Sequence, residues 1–125
     1  MNPPRVLVVD DNQAVRELWC AALTMLGYEP VPAEDGASAL ALFDAAAFDL
    51  VVTDLLMPGM SGWQVVEAIA SRSSTPVVVI TASDDEGDVK RARAQGIPLL
   101  RKPVRLLDLA HAVEDTLLGR RIPAF

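Results

Sequence analysis

Phe48-Asp49-Leu50-Val51-Val52-Thr53-Asp54-Leu55-Leu56-Met57-Pro58-Gly59 runs from an apolar, β-branched stretch into one carboxylate and then a Pro-Gly turn. Without polar alternation, Leu50 to Thr53 suits a strand buried on both faces, as in a parallel sheet covered by helices. Asp54 then falls where the strand ends, on the rim at which open α/β sheets place their chemistry. An acid at such a position also serves as a plain turn or helix cap. Its meaning therefore depends on where the other polar residues fall.

Outward from this stretch the same pattern repeats. Arg5 to Val9 is a second buried run, and it ends in Asp10-Asp11. Val15, Leu18, Trp19, Ala22, Leu23 and Leu26 follow at helical spacing, with Asp11 or Asn12 as cap and Gly27 as stop. Tyr28 to Ala33 is a weaker strand whose prolines call for an edge position. Asp35-Gly36 turns into an Ala-rich helix from Ala37 to about Ala46 that buries Leu40 and Phe43. Beyond Asp54, the loop Met57 to Gly62 leads to a third helix, about Trp63 to Arg72, with Val66 and Ile69 inward. Pro76 to Thr81 is a further buried strand, ending in a hydroxyl. Asp84 to Gln95 is helical by composition but offers only Val89 and scattered alanines for burial, so it should be held weakly. Leu99-Leu100 is a short last strand ending at Lys102-Pro103. A final helix, about Arg105 to Leu118, carries Leu106, Leu109, Ala110, Val113 and Leu117. Arg120 and Arg121 complement its C-terminal dipole, and Ile122 to Phe125 is a frayed tail.

Strand and helix alternate throughout, which predicts an α/β fold: a doubly wound five-stranded parallel sheet of order 2-1-3-4-5 with helices on both faces. The length of 125 residues suits a single domain, 1–125, with an ordered core at about 4–119. Apolar residues at 51% and charged ones at 22% fit a globular chain. A net charge of −6 argues against direct nucleic-acid binding or an anionic membrane surface as partner. The acids at 10 and 11 interrupt the first apolar run, and nothing approaches the roughly 20 apolar residues of a membrane helix, so a cytoplasmic location is expected. The single Cys20 excludes a disulfide framework and reads as a buried structural thiol.

In that sheet order the polar ends of four strands, Asp10-Asp11, Asp54, Thr81 and Lys102, become neighbours on one edge, at spacings of about 4.8 Å. Taken singly each has a bland reading, since acids cap helices, Thr favours strands and Lys is usually solvated. Together they form a cluster. Two like charges about 4 Å apart cost on the order of 4 kcal/mol at an effective dielectric of about 20, so the acids call for a cation. All-oxygen ligation favours Mg²⁺, or Mn²⁺, over zinc. Asp54 then suits a nucleophile toward a phosphoryl group, with Lys102 and Thr81 stabilising the transferring oxygens.

The whole chain resembles the receiver domain of two-component response regulators, the CheY-like superfamily with its flavodoxin-like sheet. The resemblance rests on Val8-Val9-Asp10-Asp11, Asp54 followed by Met57-Pro58-Gly59-Met60-Ser61-Gly62, Thr81-Ala82 and Lys102-Pro103. It implies that Asp54 is the phosphoacceptor. Asp11, Asp54 and the Leu56 carbonyl would bind Mg²⁺, with Asp10 acting mainly through water and Ala82 beside Leu56 at the bound group. Thr81 would turn toward the phosphoryl group, Lys102 would pair with it, and the Lys102-Pro103 bond would be cis. The implied donor is a sensor histidine kinase or histidine phosphotransfer protein. The implied output is a switch of the fourth helix, last strand and last helix, read by a downstream effector or attached output domain. The chain would act as a monomer or phosphorylation-dependent homodimer, a signalling protein and not an enzyme on other substrates.

Some positions depart from the family pattern. Leu99 stands where receivers usually carry an aromatic, Val104 replaces a common aromatic after the proline, and the loop from Gly96 to Lys102 is one residue short. Leu56 and Ser83 flank the pocket at positions that influence acyl-phosphate lifetime. Three rival readings remain. A haloacid-dehalogenase-type enzyme needs a second Asp two residues after the first, and position 56 is Leu. A pseudo-receiver that binds partners without phosphorylation usually lacks one of the acids or the Lys. A receiver cut from a hybrid histidine kinase or a DNA-binding regulator would keep the same chemistry. His111 does not read as a phosphorelay histidine or metal ligand. Trp19, Trp63, Met57 and Met60 read as packing, with Trp63 also placed for a rim contact.

Overall fold

The computed structural model describes residues 2–119. The elements run β1 (Arg5–Val9), α1 (Gln13–Met25), β2 (Glu29–Ala33), α2 (Gly36–Ala45), β3 (Leu50–Asp54), α3 (Gly62–Ala70), β4 (Val77–Thr81), α4 (Glu86–Gln95), β5 (Leu99–Arg101) and α5 (Leu106–Leu117). All strand pairs are parallel and the sheet order is β2-β1-β3-β4-β5, as the alternating pattern predicts. The expected helix boundaries differ from these by a residue or two, the usual latitude at fraying ends.

Strand alternation divides the core into two layers. Leu7, Val9, Val51 and Val79 face one way, toward α2, α3 and the single buried residue of α4, Ala92. Val6, Val8, Leu50, Val52, Val78 and Ile80 face the other way, toward Trp19 and Leu23 of α1 and Leu109 and Val113 of α5. Every residue of β3 and β4 is buried, which is why their sequences lack alternation. Burial of each such aliphatic side chain contributes about 1.5–3 kcal/mol.

The inward stripes are narrower than the sequence suggests. Leu18, Leu26 and Leu106, read as core-facing, are about half exposed at 54%, 49% and 50%. Cys20 is only half-buried, and burial pushes its thiol pKa up, against the nearby Arg16. Arg120, Arg121 and the tail Ile122 to Phe125 lie outside the described residues.

Local chemistry fixes the helix starts. The Asn12 side chain accepts from the Val15 N–H, so Asn12 and not Asp11 caps α1. Asp35 caps α2 through Ser38, and Ser61 with Gln64 forms a capping box on α3. Asp85 caps α4, and Gly96, at φ 67°, ends it in the left-handed conformation that a side chain disfavours. In β2 the Glu29 N–H donates to the Pro4 carbonyl at 2.9 Å, so Pro30 and Pro32, on the alternate positions, turn their nitrogens to the open edge.

Candidate functional site

Register brings the strand ends level. Val9 pairs with Thr53, Asp54 with Ile80, and Thr81 with Arg101, so the residues that close each strand share one edge. The sheet thus brings together Asp10, Asp11, Asp54, Thr81 and Lys102, which are spread over most of the sequence.

Asp10 and Asp54 are buried and Asp11 is exposed. One carboxylate oxygen from each of Asp10, Asp11 and Asp54 can be chosen so that all lie within 4.8 Å of one another. Lys102 Nζ donates to Asp10 Oδ2 and to Asp54 Oδ2, both at 3.1 Å. Among the described residues this is the ammonium that bridges the two buried acids. Asp54 Oδ1 accepts from the Leu56 N–H at 3.3 Å, and Asp10 Oδ1 accepts from the Asn12 N–H at 2.8 Å. Burial pushes the Asp54 carboxyl above its ordinary range; the Lys102 hydrogen bond and charge oppose this, and the Asp10 charge adds to it. Burial alone would lower the Lys102 pKa, but the hydrogen bonds and charges of Asp54 and Asp10 outweigh that and raise it.

An all-oxygen donor set of clustered carboxylates fits a hard divalent cation such as Mg²⁺, and nothing in it offers the sulfur or imidazole that zinc prefers. The spacing of the three oxygens agrees with that chemistry, and the acids exceed in charge the single ammonium among them.

Thr81 lies at the end of β4, and its Oγ1 accepts from the Ser83 N–H at 3.0 Å. Ser83 Oγ in turn accepts from the Asp85 N–H at 3.0 Å, and Asp85 Oδ1 from the Gly87 N–H at 2.7 Å. Each acceptor is thus two residues before its donor, from the end of β4 into the first turn of α4. Ala82 and Leu56 are exposed beside this edge. The Lys102-Pro103 bond is cis.

Further side chains also reach this region. Arg16 of α1 donates from Nη1 to the Asp10 carbonyl at 2.8 Å. Trp19, one turn on, lies with its ring centroid 5.5 Å from Lys102 Nζ. Their spacing of three along a helix that starts at the Asp10-Asp11 strand end is the signal by which they could have been found. Trp63 is buried in the core as the packing reading has it, and its Nε1 donates to Asp88 Oδ1 of α4 at 2.9 Å. Arg91 of α4 lies 4.5 Å above the Trp63 ring and pairs with Glu67 of α3. Met57 and Met60 pack on the core as read, and His111 is exposed on α5.

A family model of the response regulator receiver domain matches residues 6–114. The sensory transduction protein RegX3 of Mycobacterium tuberculosis is 42% identical over 83 residues, 66% of this chain and 37% of its own length. The regulator of RpoS of Escherichia coli is 37% identical over 106 residues, 83% of this chain and 32% of its own length. The chain therefore spans about a third of the length of these curated relatives. Among solved structures, the chemotaxis protein CheY4 of Vibrio cholerae superposes with a TM-score of 0.82 at 30% identity, over 90% of this chain and 97% of that one. A response regulator receiver protein from Pseudomonas putida gives 0.85 at 28% identity, over 92% and 98%. Among the described residues no helix is long and apolar enough to cross a membrane.

Proposed function

The chain belongs to the response regulator receiver family of two-component signal transduction, and from that premise we propose that Asp54 accepts a phosphoryl group from a phosphohistidine. The donor would be a sensor histidine kinase or a histidine phosphotransfer protein. An Asp54 carboxylate oxygen forms the new O–P bond while the N–P bond of the donor breaks, its electron pair returning to the imidazole nitrogen. In hydrolysis a water oxygen attacks phosphorus, the Asp54 carboxylate leaves with the electron pair, and the water's proton passes to the phosphate or solvent.

Asp10, Asp11 and Asp54, with the Leu56 carbonyl, would hold Mg²⁺. Bound there, the ion would neutralise charge on the phosphoryl oxygens. Lys102 supplies the second positive charge, exchanging its Asp54 hydrogen bond for one to the phosphoryl group. Thr81 donates its hydroxyl to another phosphoryl oxygen, and Ala82 and Leu56 border the group. The observation that carries this reading is the Lys102 ammonium at 3.1 Å from both Asp10 and Asp54. A buried acid pair held by one ammonium, beside a third, exposed acid, is arranged for a divalent cation and an anionic adduct.

The output follows from charge. The adduct adds about −1.5 to −2 charges. As Thr81 turns toward it, the Ser83 N–H loses its acceptor, and the succession of turns leading to the Asp85 cap of α4 loosens. With Leu99 where receivers usually carry an aromatic, this succession is the route that couples Asp54 to α4. Helix α4 buries only Ala92 and has little apolar contact to resist a shift. A changed α4–β5–α5 face would then be read by an effector or an output domain on the same chain, with the receiver acting as a monomer or as a phosphorylation-dependent homodimer.

The test is phosphorylation by acetyl phosphate with Mg²⁺, followed by intact-mass spectrometry. The wild-type chain gains one phosphoryl group and Asp54→Ala gains none. A wild-type chain that remains unmodified, or label retained by Asp54→Ala, overturns the assignment. Unchanged amide signals in α4 and β5 with beryllofluoride would overturn the switch alone.

A further inference from the structure

Lys102 approaches the acids from a long, flexible side chain, and an ammonium with three N–H donors does not choose its position by hydrogen bonds alone. Two donors go to Asp10 and Asp54. Nζ also lies over the ring of Trp19, itself only 3% exposed, at 5.5 Å from the ring centroid. A buried indole face attracts a cation through its quadrupole without accepting a conventional hydrogen bond from it. Leucine at position 19 would fill core space but offer no such attraction.

We propose that Trp19 is a positioning residue for Lys102, its indole face holding the ammonium at the acid pair while leaving its N–H groups to the oxygens. This rests on the reading of Lys102 as the counter-cation of the phosphoryl group. The contact is soft, which suits that role. When Lys102 leaves Asp54 for a phosphoryl oxygen, the ammonium slides over a flat face and breaks no directional bond to its support. Helix α1 supports both sides of the Asp10–Lys102 pair: Arg16 fixes the Asp10 backbone by its 2.8 Å hydrogen bond, and Trp19 steadies the cation.

The experiment compares Trp19→Phe and Trp19→Leu with wild type, and uses 5-fluorotryptophan in a Trp63→Phe background so that position 19 alone carries the label. Fluorination weakens the negative face of the ring at nearly constant shape. Phosphorylation by acetyl phosphate with Mg²⁺ is expected to slow about two- to fivefold in Trp19→Leu, less in Trp19→Phe, and measurably on fluorination. The ε-methylene protons of Lys102 are expected upfield in wild type from the indole ring current and at ordinary positions in Trp19→Leu. Equal slowing by Phe and Leu with no fluorine effect would reduce Trp19 to packing and overturn the proposal. An unshifted Lys102 ε-methylene in wild type would overturn it too, leaving the assignment of Asp54 intact. A wild-type chain that never phosphorylates but shows the shifted methylene would sink the functional reading and the positioning role that depends on it, while leaving the contact itself standing. The fluorinated protein and Trp19→Phe keep the test decisive if Trp19→Leu does not fold.

Discussion

Gly62 packs so closely on Asp54 that a Cβ at position 62 would overlap the Asp54 carbonyl oxygen and lie 2.6 Å from the Leu55 Cα. The first residue of α3 is thus seated on the end of β3, and the Gly62 N–H donates to the Leu55 carbonyl at 3.0 Å. Backbone, not a flexible side chain, occupies the space a methyl group would need. Gly62→Ala is therefore expected to lose about 1–3 kcal/mol of stability and to slow phosphorylation by displacing the Asp54 backbone. Urea denaturation and acetyl phosphate labelling measure the two effects, and a variant as stable as wild type would contradict the close approach.

Repulsion among the acids predicts a metal-dependent stability. Asp11→Asn removes one charge from the cluster, and without divalent ions the relief of about 1 kcal/mol should raise the melting temperature by about 3–5 °C. Mg²⁺ should stabilise wild type, and the same substitution should abolish that stabilisation. Thermal melts with and without Mg²⁺ check both signs.

The pH dependence of Asp54 has a defined direction. Its pKa is raised above 3.8, chiefly by burial, so between 3.8 and the folded value the native state binds the proton more tightly than the unfolded chain. Stability then falls as pH rises through that window in the absence of metal. Lys102→Met removes the group that opposes the shift, so the Asp54 carboxyl should titrate higher still, and stability at neutral pH should fall by about 3 kcal/mol because two buried acids lose their shared cation. Carbon-13 titration of the Asp54 carboxyl and denaturation against pH test this; a lower Asp54 pKa in Lys102→Met would refute it.

The link between α3 and α4 is polar and aromatic. Trp63→Phe keeps a ring for Arg91 but deletes the N–H that donates to Asp88. We expect faster amide exchange in α4, by about 5- to 10-fold for a lost bond of about 1–1.5 kcal/mol, with β3 and β4 unchanged. Equal protection of α4 in both proteins would show that the contact does not hold the helix.

Leu56 lies 55% exposed at the mouth of the Asp54 region. Its apolar side chain should hinder an attacking water, so the acyl phosphate should decay more slowly in wild type than in Leu56→Asn. Decay of the phosphorylated protein, followed by intact mass, checks this. Equal or faster decay in wild type would refute it.

The sheet was legible because a parallel strand buried on both faces leaves an unbroken apolar run, and Val6 to Val9, Leu50 to Val52 and Val77 to Ile80 are such runs. Their polar ends could be aligned from strand order alone, so the convergence of Asp10, Asp54, Thr81 and Lys102 was visible in outline. Less visible was how each is supported. The Lys102–Trp19 and Trp63–Asp88 contacts join distant segments whose approach depends on helix rotation, which periodicity does not specify. Periodicity also overcounted the core at Leu18, Leu26 and Leu106, because an apolar residue beside the inward stripe looks the same in sequence as one within it.

Pro30 and Pro32 give the outer margin of β2 a further meaning. At those two positions the open edge presents carbonyls but no amide hydrogens, and the opposite margin, β5, is only three residues long. A second chain seeking to extend the sheet into a ribbon would meet a comb with missing teeth on one side and a stub on the other. Many copies of such a fold can remain separate at high concentration, with encounters left to the helices and loops.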